Sequence, residues 1–223
     1  MTDWFVIEGN IGSGKSTLCR LLEESSNNIE VLPEPVDLWR DVIDDNSNKN
    51  LLQYYYEDQS RWSFTFQLYG LMTRMEDIMK ENKKVLRFVE RSIYTYKHVF
   101  ARSLYESGKM TSLEWNMYEQ WFQWLSNDHF SSLHKAQGYI YLRANPKTSY
   151  DRMLKRERME EKCVPLEYLE NINRYHDDWL KTMNEEEVLI IDVDEDFENT
   201  PENLENIKER IMKFVEKRQK YKN

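Results

Sequence analysis

The 223 residues are enough for one large domain with a sizeable core, and 40 Asp and Glu against 31 Lys and Arg give a formal net charge of −9. That acidity argues against a polynucleotide partner, which calls for a basic face, while a few clustered cations still suffice for a small anion. No apolar run approaches the roughly 18 residues of a membrane span, and the two cysteines, Cys19 and Cys163, are too far apart in sequence to suggest a disulfide framework or a zinc pattern.

Met1-Thr2-Asp3 leads straight into the apolar run Trp4 to Glu8, the length of a buried strand; with no room for a targeting segment, a cytoplasmic protein is expected. Gly9-Asn10-Ile11-Gly12-Ser13-Gly14-Lys15-Ser16 then matches G-x-x-x-x-G-K-[ST], and Thr17 continues into a helical pattern to about residue 26. Strand, glycine loop and helix together make this a phosphate cradle. The glycines let successive N–H groups turn onto an anion and the helix adds its positive end. Lys15 supplies charge to the β/γ-phosphates and Ser16 a hydroxyl for Mg²⁺, so a nucleoside triphosphate is the expected ligand.

Ile29 to Leu32 is the second predicted strand. It ends at Pro33-Glu34-Pro35, where Pro35 holds Glu34 extended and a carboxylate at the strand's carboxyl end. Residues 36–56 are mixed and polar, the pattern of a surface excursion. A long helix is expected over 58–82, with Trp62, Phe66, Tyr69, Met72 and Met75. Val85 to Val89 is the third strand, followed by Glu90-Arg91-Ser92. Helices are expected over 93–107 and 112–127, a fourth strand over 138–142, and a helix opened by Pro146 that runs into the charged stretch 152–162. Residues 165–183 are predicted helical, 188–192 a fifth strand, and 201–220 a closing amphipathic helix whose role the pattern leaves unexplained. Five short apolar strands separated by helices indicate an α/β parallel sheet covered on both faces, with functional groups at its carboxyl edge.

Three segments fall at that edge: the glycine loop, Glu34 and Glu90-Arg91. Glu34 suits the removal of a hydroxyl proton, Glu90 the acidic partner of Mg²⁺, and the Arg152–Arg158 stretch the forks that close on phosphate oxygens. Each has a plainer alternative as a loop acid, a surface ion pair or a solvated helix face. Phe66-Gln67 pairs an aromatic face with an amide, a combination able to stack on and pair with a nucleobase. His98, His129, His134 and His176 show no metal-ligand spacing.

Taken together, the loop at 9–16, Glu34-Pro35-Val36 with Trp39, Phe66-Gln67, Glu90-Arg91-Ser92, and the arginine-rich stretch before Cys163-Val164-Pro165-Leu166-Glu167-Tyr168-Leu169 closely resemble the eukaryotic and viral deoxyribonucleoside kinases, most of all the insect multisubstrate and mitochondrial thymidine kinase branch. The resemblance runs from about residue 5 to 195. It implies a P-loop kinase fold in a single domain over 1–223: a five-stranded parallel sheet flanked by helices, with an arginine-rich lid at about 152–163. It implies transfer of the ATP γ-phosphoryl group, with Mg²⁺, to the 5′-hydroxyl of a deoxynucleoside in nucleotide salvage. Glu34 is then the general base, Arg91 steadies the hydroxyl and the phosphoryl group, and Lys15 acts with them. Glu90 and Ser16 serve Mg²⁺, and Arg152, Arg156 and Arg158 are the lid arginines. Tyr56 and Glu161 bind the sugar 3′-hydroxyl, Gln67 pairs with the base between Phe66 and Phe100, and Trp39 lines the pocket. A homodimer packed through helices is implied, for which the Tyr- and Trp-rich helices at 93–127 offer a face; charge and hydropathy lead to the expectation of no nucleic acid or membrane partner.

One departure stands out. In the cytidine- and purine-accepting branch an arginine of the third helix works with an aspartate four residues after Glu-Arg-Ser. This chain has Arg74 but carries Tyr96 at that position, with Gly70 nearby; the thymidine-accepting branch has an apolar and a small residue there. A bulky Tyr96 is expected to shrink the pocket and favour pyrimidines, with Gly70 returning some space. The absence of Asn-Lys-x-Asp and Asp-x-x-Gly argues against a GTPase. The alternatives are a nucleoside monophosphate kinase, whose phosphorylated acceptor Glu34 would repel, and a non-catalytic ATP-binding sensor.

Overall fold

Alternation within the strands decides which side chains cover which face of the sheet. In β1 (Asp3–Gly9), Trp4 and Val6 join one buried apolar cluster while Phe5 and Ile7 join another; in β4 (Tyr139–Arg143), Tyr139 and Tyr141 go with the first, Ile140 and Leu142 with the second. With β2 (Ile29–Leu32), β3 (Leu86–Glu90) and β5 (Val188–Asp192), they form an all-parallel sheet in the order β2-β3-β1-β4-β5. The structure is a computed structural model that describes residues 3–81, 84–127 and 136–220. The expected helix end at Asn82 and two of the histidines, His129 and His134, lie outside those residues. Among the described residues no helix is long and apolar enough to cross a membrane.

One face is covered by α1 (Lys15–Ser25), through Leu18, Cys19 and Leu22, and by α10 (Pro201–Lys220), through Ile207, Ile211, Phe214 and Val215. The closing helix therefore has a plain role: without it this face of the sheet would be exposed to water. The other face carries α4 (Gln59–Met79), α7 (Ser112–Ser126) and α9 (Leu166–Leu180). Local chemistry starts these helices. The Asp58 side chain accepts from the Arg61 N–H, Thr111 and Glu114 form a reciprocal capping box, and Pro146 opens α8 (Pro146–Lys155) behind an Asn145 cap.

Two expectations are corrected. Residues 36–56 are not merely a surface excursion: they form α2 (Val36–Arg40) and α3 (Leu51–Glu57), and bury Trp39, Leu51, Leu52 and Tyr55. Their short apolar stripes are interrupted by the polar stretch 44–50, which hid the periodicity. The expected helix over 93–107 is α5 (Ile93–Thr95), a π-helical stretch Tyr96–Ala101 and α6 (Arg102–Glu106) in succession. The wider π turn sends Tyr96 and Phe100 into the cleft described below, a common use of such turns.

A polar contact lies inside the sheet. Glu8, at the carboxyl end of β1, is fully buried; it accepts a 2.5 Å hydrogen bond from the Thr95 hydroxyl, and its other oxygen is 3.8 Å from His176 Nε2. His176 Nδ1 lies 2.9 Å from the Ile172 carbonyl, so Nδ1 carries the proton and Nε2 is left as an acceptor. Burial, against the lowering effect of the Thr95 bond, pushes the Glu8 carboxyl up to about 7. Its ordinary value in the unfolded chain is lower, so the unfolded state loses its proton first as pH rises. Stability is expected to fall between about pH 4.5 and 7 on this account, levelling off above. In Glu8→Gln, which mimics the protonated acid, thermal melts across that range should lose this part of the slope; an unchanged slope would assign it to other groups.

Candidate functional site

The carboxyl ends of β1, β2 and β3 open into a cleft of about 640 Å³ bounded by the glycine loop, α2, α3, α4, the π turn and the charged stretch after α8. Of the residues singled out from sequence, Ile11, Gly12, Gly14, Lys15, Ser16, Thr17, Glu34, Trp39, Tyr56, Phe66, Gln67, Glu90, Arg91, Tyr96, Phe100, Arg152, Arg156, Arg158 and Glu161 line it. Gly9, Asn10 and Ser13 belong to the same loop but do not line the cleft, and Asn10 and Ser13 are buried. Asn10 ties the loop down: its side-chain amide donates to the Leu169 carbonyl and its oxygen accepts from the Ile11 N–H, both at 2.8 Å. Gly70 and Arg74, the other two residues singled out for the base end, are buried in α4 behind the residues that line the cleft. The space Gly70 leaves is filled by the Tyr96 ring, since a Cβ there would sit 3.3 Å from Tyr96 Cε1.

At the phosphate end, Gly12 has φ 77°, and a Cβ there would collide with the Ser149 carbonyl of α8. Lys15 Nζ donates to the Asn10 carbonyl at 2.7 Å; burial first and the Arg91 charge second pull it down to about 7. An arriving polyphosphate would reverse that balance and hold the ammonium form. The Ser16 hydroxyl donates to Glu90 Oε1 at 3.0 Å. One hydroxyl and one carboxylate suit Mg²⁺, which keeps several waters and takes its remaining oxygens from phosphates. No cluster of three or more His, Cys, Asp or Glu able to hold a metal occurs among the described residues.

At the centre, Arg91 Nη1 donates to Glu34 Oε2 at 2.5 Å. Arg91 is held there by its own backbone: its N–H extends the sheet onto the Ile7 carbonyl at 3.0 Å, and its φ of 62° is an unusual left-handed conformation for a non-glycine residue. Its guanidinium also reaches the Gly9 carbonyl and lies 4.8 Å over the Phe100 ring. The Tyr96 hydroxyl donates to Glu34 Oε1 at 3.2 Å. Burial raises the Glu34 carboxyl, but Arg91 and Lys15 outweigh it and hold it below the usual carboxylate range. Burial, ahead of the Glu34 charge, pushes the Tyr96 phenol well up, so the hydroxyl keeps its proton.

The far end is aromatic. Phe66 stacks on Tyr55 with centroids 4.2 Å apart and meets Trp39 edge-on at 5.1 Å. Trp39 Nε1 donates to the Thr73 hydroxyl at 3.0 Å, which locks its ring. Gln67 is buried with its side-chain oxygen unpartnered, an arrangement that calls for a ligand donor. Over the cleft, Arg156 Nη2 binds both Glu161 oxygens at 2.7 Å and Arg158 reaches one at 3.5 Å. Arg152 is committed elsewhere, to the carbonyls of Val193, Asp194 and Glu195.

Several contributors escaped the sequence reading. Arg40 grips Glu160 at 2.9 and 3.1 Å, and Asn50 adds a third bond at 3.2 Å, so the segment above the cleft is tied to α2 and to the start of α3. Asp196, Phe197, Glu198 and Asn199 also line the cleft, with the Phe197 ring against Gly14 of the glycine loop. No local pattern marks any of them.

A family model described as deoxynucleoside kinase matches residues 5–216. Among curated relatives, deoxycytidine kinase 2 of chicken (Gallus gallus) is 39% identical over 94% of this chain and 89% of its own length. Deoxycytidine kinase of Homo sapiens is 38% identical over 91% of this chain and 88% of its own. The mitochondrial thymidine kinase 2 of Homo sapiens is 37% identical over 92% of this chain and 76% of its own. Likeness at this level does not distinguish the two branches by base.

Gly12→Ala tests the phosphate end. Forcing a Cβ against the Ser149 carbonyl is expected to abolish binding of a fluorescent ATP analogue and to cost roughly 1–3 kcal/mol of stability by urea denaturation. Unchanged binding would mean that the loop does not hold the phosphates in this conformation.

Proposed function

This chain belongs to the deoxynucleoside kinase family, and on that footing we propose that it transfers the γ-phosphoryl group of ATP to the 5′-hydroxyl of a deoxynucleoside, with pyrimidines preferred. The observation that carries the reading is the Arg91–Glu34 contact, which lies in one cleft with Lys15 on one side and the unpartnered Gln67 oxygen on the other. A base that pairs with Gln67 lies among Phe66, Phe100 and Trp39, and its sugar then points toward Glu34. Glu34 accepts the proton of the 5′-hydroxyl. A carboxylate held below its usual range is a weak base, which suffices where the transition state is loose and the nucleophile needs orientation more than deprotonation.

Arg91 stands between acceptor and donor and stabilises charge on the transferred group, while Lys15 and the loop N–H groups hold the β/γ-phosphates. Ser16 and Glu90 would hold Mg²⁺, which supplies charge neutralisation on the phosphates when bound. Arg156 and Arg158 supply further cations, and Tyr56 and Glu161 accept and orient the sugar 3′-hydroxyl. The Tyr96 ring walls the base pocket and takes up the space beside Gly70, which supports a preference for the smaller bases.

A homodimer is part of the proposal. α4 and α7 pack on each other and expose Met72 and Met79 on the first and Leu113, Met117, Trp121 and Trp124 on the second, two apolar stripes at helical spacing.

Incubation with Mg-ATP and each of thymidine, deoxycytidine, deoxyadenosine and deoxyguanosine should yield monophosphates, pyrimidines fastest, with thymidine monophosphate inert as acceptor. Glu34→Gln should cut the rate roughly 10²- to 10⁴-fold. Activity on the monophosphate alone, or a fully active Glu34→Gln protein, would overturn the reading. Light scattering should give a dimer, and Trp121→Glu with Trp124→Glu a folded monomer; a wild-type monomer would remove the dimer from the proposal.

A further inference from the structure

Tyr96 makes a contact that a bulky pocket wall does not require. Its ring is buried, edge-on to Trp39 with centroids 6.3 Å apart and tilted against Phe100 at the same separation. From there the phenol reaches past the base pocket to Glu34 Oε1, while Arg91 takes Oε2. The two donors belong to different parts of the chain after β3: Arg91 directly follows the strand, and Tyr96 begins the π turn. One-donor carboxylates can rotate about the last side-chain bond; a carboxylate gripped at both oxygens cannot. Two of its roughly four lone-pair positions remain for a substrate hydroxyl.

The wall behind Tyr96 matches this placement. Gly70 provides a gap in α4, and a single methyl group there would stand 3.3 Å from Cε1 and push the ring away from its present line. Arg74, fully buried one turn further on, donates to the Pro33 carbonyl at 3.0 Å beside Glu34 and acts on the Tyr96 hydroxyl with its charge. Burial, ahead of the Glu34 charge, outweighs the lowering effect of Arg74 and keeps the phenol protonated, so that it donates toward Glu34.

We propose that Tyr96 is a positioning residue for Glu34, its hydroxyl fixing the carboxylate for the 5′-hydroxyl, and that Gly70 is the structural condition for that reach. The proposal rests on the phosphoryl-transfer reading above. It assigns the position a role in rate as well as in pocket size. Because the hydroxyl acts through Glu34, its effect must vanish when Glu34 is already gone.

The test is a set of steady-state measurements with the best nucleoside and saturating Mg-ATP on wild type, Glu34→Gln, Tyr96→Phe, Gly70→Ala and the pairwise combinations, with melting curves to confirm folding. Tyr96→Phe keeps the ring and should lower kcat roughly tenfold while KM for the nucleoside moves by less than about twofold. Gly70→Ala should lower kcat in the same direction, and Tyr96→Phe/Gly70→Ala should be no slower than Tyr96→Phe, since both act on one contact. In the Glu34→Gln background, Tyr96→Phe should change nothing further. Wild-type kcat in Tyr96→Phe, or effects that multiply with those of Glu34→Gln, would overturn the proposal. An inactive wild type, or a fully active Glu34→Gln protein, would instead overturn the underlying reading and this proposal with it. If Tyr96→Phe fails to fold, Gly70→Ala alone decides: an unchanged kcat there refutes the role of the gap and of the reach it permits.

Discussion

The salt bridge from Arg91 to Glu34 is the contact around which the cleft is arranged. It joins the carboxyl end of β3 to the carboxyl end of β2, two neighbouring parallel strands, and it does so across the mouth of the glycine loop that follows β1. Neither partner is expendable: removing one leaves a largely buried charge, a change that typically costs about 3–5 kcal/mol. The left-handed backbone of Arg91 and the proline-bracketed extension of Glu34 bring the two side chains to this meeting point before any ligand arrives. Preorganisation of this kind is what phosphoryl transfer asks of a protein, since there is little covalent chemistry for side chains to perform.

Charge is concentrated against the molecule's overall balance. The chain is acidic by nine charges, yet Lys15, Arg91, Arg152, Lys155, Arg156 and Arg158 all border one cleft. Field lines from such a cluster are focused by the surrounding low-dielectric walls, so a small polyanion is attracted locally despite the acidic balance of the whole chain. These cations are partnered within the protein: Arg156 and Arg158 rest on Glu161, and Lys15 on the Asn10 carbonyl. Of the three, only Lys15 is buried, and its bond to the Asn10 carbonyl keeps that charge partnered inside the protein.

Behind the site, the interior carries polar chemistry of its own. Glu8, Thr95 and His176 bring β1, the segment after β3 and α9 together directly beneath the catalytic edge. Thr95 also accepts from the Ser92 N–H at 2.8 Å, capping the start of α5 one residue after Arg91. The conformation of Arg91 is thus supported from below by hydrogen bonds and from the side by the sheet.

By itself the sequence determined the phosphate loop, the strands, and the placement of Glu34 and Glu90-Arg91 just past strand ends, because these depend on local features: glycine and proline dihedral limits, two-residue alternation, and the strand–loop–helix order. The aromatic-amide pair Phe66-Gln67 stood out by its chemistry, and Glu161 only through resemblance to a known family. Only the tertiary structure decided that residues 36–56 fold over the cleft, that Arg40 holds Glu160 across 120 residues, that Glu8 meets Thr95 across 87, and that Tyr96 reaches Glu34 across 62. It also decided that the space beside Gly70 is taken by the Tyr96 ring. Such contacts depend on which rotamers the packed helices leave open and on a π turn that shifts the register of a helix, and nothing in a local pattern encodes either.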